Sequence, residues 1–191
     1  MKKIIAVILS ACCIGALLAG CGVSDALTQT KNTENTTQAS EQENEPSVKD
    51  TDFNNDFDGL CDYFVAKGYT VAKAGDKLDE KKVTEMDSAL VGAENGKKFA
   101  TSYNGKSITV ELYGYNTSEL NDTAKQIIES IKKDGTFSIL GFDPVKAYIS
   151  DNGKYMMVYS DASIDESKTD DDNYTHREQV IEDFKAFNSA S

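Results

Sequence analysis

Chemistry at neutral pH needs a base, a nucleophile or a metal, and few residues of this chain can supply one. His176 is the only histidine, with no cysteine or second histidine near it, and reads as an ordinary surface residue. Cys61 falls on an apolar helical stripe with Phe57, Leu60 and Phe64, which suits a small buried hydrophobe. A Cys61–His176 catalytic pair would require both side chains to leave those places. No Gly-Xaa-Ser-Xaa-Gly elbow, phosphate-cradling glycine loop or zinc-ligand spacing occurs. No catalytic residue, metal or cofactor is therefore expected.

Two acidic stretches invite a calcium reading. Asp50-Thr51-Asp52-Phe53-Asn54-Asn55-Asp56-Phe57-Asp58 has the alternating oxygen ligands that open an EF-hand loop. Neither register places glycine sixth, however, and the twelfth position falls on Cys61 or Tyr63 instead of glutamate. From Asp161 to Asp172 the chain gathers Asp165, Glu166, Asp170, Asp171 and Asp172 without ligand order. Solvated loops that bring carboxylates to helix N-termini account for both stretches, because the helix dipole favours negative charge there.

Three helices are predicted to position these residues. Phe57, Leu60, Cys61 and Phe64 recur at i, i+3, i+4 and i+7, with Asn55 or Asp56 able to cap the start and Gly68 the end. Leu120, Ala124, Ile127 and Ile131 form a stripe over about 118–133, between Ser118 and Gly135. Val180, Ile181, Phe184 and Phe187 turn inward over about 174–187.

Three Asn-Gly pairs, at 95–96, 104–105 and 152–153, signal two-residue hairpin loops. Around Asn104-Gly105 the implied register sets Phe99 opposite Val110 and Thr101 opposite Ile108. On the other face Lys98 meets Glu111 and Ser102 meets Ser107, so one face is apolar and one polar. A hairpin at Asn95-Gly96 would place Gly92 beneath Phe99. Around Asn152-Gly153, Ile149 faces Met156 and Ala147 faces Val158, while Pro144 precedes the strand, where a missing N–H is tolerated. That register turns Tyr148, Tyr155, Met157 and Tyr159 to the opposite side. Such a face is either a recognition surface, since tyrosine gives large contact area at small entropy cost, or is covered by residues 70–88 or a helix, and cover is favoured. The order α, three-strand meander, α, hairpin, α predicts an α+β domain. It would hold an antiparallel sheet of about four to five strands with about three helices packed on one face. Both hairpins carry Asn-Gly-Lys and precede a helix, which leaves room for an internal ββα duplication. Residues 70–88 are the least readable.

The chain of 191 residues has a formal charge of −12, from 20 basic and 32 acidic residues. A surface so acidic repels nucleic acid and anionic headgroups, which excludes nucleic-acid binding and electrostatic membrane attachment. At the N-terminus, Lys2 and Lys3 precede an apolar run from Ile4 that ends Leu18-Ala19-Gly20-Cys21. This resembles the lipobox signal of bacterial lipoproteins: an aliphatic residue, two small residues and a cysteine. The resemblance covers residues 1–21 and implies a lipid chain on the Cys21 sulfur, as acyl groups such as palmitate, with cleavage after Gly20. Leu9-Ser10-Ala11-Cys12 also fits the pattern, but cleavage there would leave an apolar region of about five residues, below the roughly 7–15 needed. Removal of residues 1–20 takes away Lys2, Lys3, Cys12 and Cys13, which leaves a formal −14 and, with Cys21 lipid-bearing, Cys61 as the one free thiol. No intrachain disulfide is then available.

From Gly22 to about Asp52 the chain has no aromatic residue and is dominated by Thr, Asn, Gln, Glu and Ser. It reads as a disordered tether with an end-to-end distance of about 30 Å. The expected organisation is a signal over 1–20, a lipidated N-terminus and tether over 21–52, and one α+β domain over 53–191. Leu90-Val91-Gly92-Ala93 and Val110-Glu111-Leu112-Tyr113 resemble small, uncharacterised lipoproteins of Gram-positive anaerobes, over about 55–160, a likeness that implies no activity. The expectation is a non-enzymatic, lipid-anchored extracytoplasmic module that binds a protein, peptide or glycan at the cell surface. The alternatives are a calcium-dependent module, an extracytoplasmic hydrolase or a structural subunit of an envelope assembly.

Overall fold

The register of the sheet is set at one turn. In the computed structural model, which describes residues 47–70 and 83–189, Asn104 and Gly105 both take positive φ, 47° and 71°, as a type I′ loop requires. They join β2 (Asn95–Tyr103) to β3 (Lys106–Gly114). Each pairing expected from that turn is present: Phe99 with Val110, Thr101 with Ile108, Lys98 with Glu111 and Ser102 with Ser107. Strand β1 (Val83–Glu85) pairs with the outer side of β2. Strand β7 (Tyr155–Ser160) pairs with β3, and β6 (Tyr148–Ile149) pairs with β7. The fold is α+β, with a five-stranded antiparallel sheet in the order β1-β2-β3-β7-β6 and three helices among the described residues.

The other two Asn-Gly pairs behave differently. At Asn152-Gly153 the expected partners Ile149 and Met156 do face each other. Ala147, however, leaves the ladder and donates its N–H to Gly135 O at 3.1 Å, so it has no partner in Val158. Asn95-Gly96 is no turn: it opens β2 opposite Gly114 and Tyr113. Glycine is needed at 96 because a Cβ there would lie 2.9 Å from the Tyr113 ring. Residues 88–91 form a 3₁₀ turn instead of a strand, ended by Gly92 at φ 71°. Gly92 lies against Ala124 and Asn121, not beneath Phe99.

The helices are α1 (Phe57–Ala66), α2 (Asp122–Asp134) and α3 (Asp172–Ala186). Their N-caps Asp56, Asn121 and Asp171 accept from the N–H groups of Gly59, Ala124 and Asn173. Helix α2 starts later than expected because Ser118 donates both its N–H and its hydroxyl to Asn116 Oδ1. Gly135, at φ 70°, ends it.

These helices do not share one face of the sheet. Helices α1 and α3 pack Leu60, Phe64, Val180 and Phe184 onto Phe99, Val110, Leu112 and Met157. Helix α2 packs Ala124, Ile127, Ile128 and Ile131 with Tyr113, Met156 and Val158 on the other side. The physical reason is β7: all five residues from Tyr155 to Tyr159 are buried, a continuous apolar run that demands cover on both faces. Each large core side chain so buried stabilises the fold by about 1.5–3 kcal/mol. Because α2 and α3 lie on opposite faces, the two hairpins are not repeats of one ββα unit. The two-fold axis that relates antiparallel neighbours β3 and β7 stands normal to the sheet and would keep both helices on one side. Val48 also packs on the α1–α3 side, and Asp50 accepts from the N–H of Asn188 at 2.9 Å, so the fold draws on residues before Phe53.

His176, expected at the surface, helps hold α3 down. It is half-buried, stacked on Tyr103 with ring centroids 3.8 Å apart and edge-on to Tyr69 at 5.7 Å. Burial lowers its pKa, with Asp161 opposing. The unfolded chain therefore takes up the proton first, and stability present at neutral pH declines as pH falls through about 6.5. Thermal denaturation between about pH 7.5 and 5.5 is expected to show this decline, and His176→Phe to flatten it, since His176 is the only histidine of the chain. An equal decline in the variant would place the titrating group elsewhere.

Candidate functional site

The tyrosine face is core. Tyr155 is 3 % exposed, Met157 0 % and Tyr159 9 %, beneath α1 and α3. Tyr148 at the sheet edge is half-buried, with the Lys185 ammonium 5.7 Å over its ring. Burial pushes the Tyr155 phenol up to about 12 and raises that of Tyr159. Tyr155, Met157 and Tyr159 therefore offer little surface to a partner, whereas Tyr148 stays partly open at the edge. Cys61 is likewise buried, its thiol pushed up to about 12 chiefly by burial. It is a core side chain, as its stripe predicted.

The acidic stretches are occupied by structure. Asp58 pairs with Lys97 at 3.0 Å. Asp161 accepts from the N–H and hydroxyl of Ser163, and from Asn173 Nδ2 at 2.9 Å. Asp165 accepts from the N–H and hydroxyl of Ser167. Buried Arg177, its guanidinium 4.6 Å above the Tyr174 ring, grips both Glu166 oxygens at 2.6 and 2.9 Å. That guanidinium holds the Glu166 carboxyl down to about 2. Among the described residues, no group of three His, Cys, Asp or Glu side chains is placed to hold a metal.

Exposed apolar chemistry lies on the α2 side of the sheet. Strands β4 (Thr136–Phe137) and β5 (Val145–Lys146) form a separate small hairpin. Between it and the 3₁₀ turn at 88–91 runs a groove of about 420 Å³, with Tyr113 and Val158 in its floor. Leu90 and Met86 line one wall, Ile139 and Val145 the other. Leu90 is 51 % and Val145 40 % exposed. The loop between β4 and β5 adds Leu140, 83 % exposed, and Phe142, 73 % exposed. These four are the exposed large hydrophobics among the described residues. Of the four, only Leu90 stood out in the sequence, within Leu90-Val91-Gly92-Ala93 and not as a binding residue; in the β4–β5 loop only Pro144 did.

The loop is built like the Asn104-Gly105 turn but with the wrong residue for it. Phe142 N–H donates to Ile139 O at 3.0 Å, and Leu140 and Gly141 both take positive φ, 53° and 80°. Asparagine tolerates this conformation, whereas leucine does so at a cost of about 1–2 kcal/mol. A large apolar side chain is thus held in water on a strained backbone, the kind of local departure found at functional sites.

No helix among the described residues is long and apolar enough to cross a membrane. Cys21, its leader, the tether up to residue 46 and positions 71–82 lie outside the described residues. Replacing Leu140 with asparagine is expected to raise unfolding stability by about 1 kcal/mol in urea; a loss would mean that the side chain packs. In comparison with known proteins, the chain matches no family model, no curated protein and no solved structure.

Proposed function

We propose that this chain is a lipid-tethered extracytoplasmic docking protein that receives a polypeptide partner in the groove between Leu90 and Val145. The observation that carries the reading is the pair Leu140 and Phe142, exposed on a strained turn beside an open apolar groove. Scattered apolar side chains on a surface are ordinary, but here Leu90 and Val145 line one concavity, and Leu140 and Phe142 sit on the loop that supplies its Ile139, a grouping that supports an interaction site. Phe142 at the loop tip makes first contact, and the groove takes apolar side chains of the partner. The lipobox at Leu18-Ala19-Gly20-Cys21 supports the address. A diacylated Cys21 anchors stably because two acyl chains bury enough hydrocarbon where one is marginal.

A photo-crosslinking residue at position 142, in the native cells, is expected to capture a discrete partner. Leu90→Ser should abolish the adduct while changing stability by no more than about 0.5 kcal/mol, because Leu90 is half exposed. An adduct indifferent to Leu90→Ser, or no adduct at all, would sink the docking reading.

A further inference from the structure

We propose that the segment received by the groove is cationic as well as apolar: a peptide stretch whose large hydrophobic side chain is flanked by lysine or arginine. The inference rests on the docking reading and adds the partner's charge. The groove is lined by two ionisable side chains that carry charge at neutral pH, Asp87 and Glu111, and both are carboxylates. Among the described residues no lysine or arginine lines it, in a chain of formal charge −12.

The two carboxylates differ. Glu111 already has company, since Lys98 donates to its Oε1 at 2.9 Å and the Tyr113 hydroxyl to its Oε2 at 2.9 Å. Asp87 stands at the N-cap of the 88–91 turn yet accepts no capping hydrogen bond. It is exposed, and no salt bridge engages it among the described residues. Every other N-cap carboxylate of the three helices is used: Asp56 and Asp171 each accept from their own helix. Asp87 is therefore an unspent negative charge beside an apolar groove, the arrangement that a basic, hydrophobic segment complements. A purely apolar partner would leave it desolvated and unpaired, which costs free energy.

The probes are two synthetic peptides, one alternating lysine with leucine and one with glutamate in place of lysine. Each is labelled and titrated by fluorescence anisotropy into the full chain held in phosphatidylcholine nanodiscs. The lysine peptide is expected to bind about tenfold or more tightly than the glutamate peptide. Asp87→Lys should erase that preference, Asp87→Asn should reduce it, and Leu90→Ser should weaken binding of the lysine peptide. If Asp87→Lys leaves the preference intact, the attraction is the general acidity of the surface and the proposal is overturned. Flotation of the full chain with mixed phosphatidylcholine–phosphatidylglycerol vesicles, dependent on Phe142 and unaffected by the peptides, would make a bilayer the occupant and also overturn it. Should both peptides fail while the position-142 adduct still depends on Leu90, docking stands and the cationic partner falls.

Discussion

The pairing of β3 with β7 is the constraint from which the rest of the molecule follows. Leu112 beside Met157 points to one face, and Tyr113 beside Met156 to the other, with all four buried. A central pair apolar on both sides cannot leave either face to water, at about 25 cal/mol for each Å² of apolar surface exposed. One face takes two helices, α1 and α3. The other takes α2, which packs with the 88–91 turn and the β4–β5 hairpin and leaves between those two short elements a groove that Val158 and Tyr113 help to line. The groove is what remains of a face covered by one helix and two short elements.

That asymmetry also separates the parts of the molecule that hold shape from the parts free to bind. Around α3, polar groups are spent on structure. Arg177 clamps the acidic loop through Glu166, Lys67 pairs with Asp183 at 2.8 Å, and Tyr69 donates to the same carboxylate. Much of the chain's acidity is consumed in turns, caps and such clamps. Around the groove the balance reverses: Leu140 and Phe142 gain little from packing, and Asp87 caps nothing. Leu140, Phe142 and Asp87 are the residues on which the docking proposal rests.

Much of this was legible in the sequence, and the failures have physical causes. Asn104-Gly105 gave its hairpin with each pairing in place, because a dipeptide that demands positive φ twice leaves one register. Asn95-Gly96 has the same letters, but its glycine answers the Tyr113 ring, a tertiary neighbour that no local pattern reveals. The tyrosine face was legible as a face but not as buried, since alternation assigns sides without saying what covers them. The run from Tyr155 to Tyr159, large on both sides, was the signal for two-sided cover. The groove was invisible for the converse reason: Leu90, Leu140 and Phe142 are core residues by type, and only the fold puts them outside. Leu140-Gly141 also repeats the turn geometry of Asn104-Gly105 without its signature residue.

The central claim is that the groove is open in the isolated protein and filled where the protein works. Thiol labelling of a Leu90→Cys variant tests it directly, because Cys61 is buried with its thiol pushed up to about 12 and contributes little background. The account predicts rapid labelling in purified protein and marked protection on intact cells, with a Tyr159→Cys control slow in both. Equal rates at position 90 in the two settings would mean that nothing occupies the groove, and would contradict it.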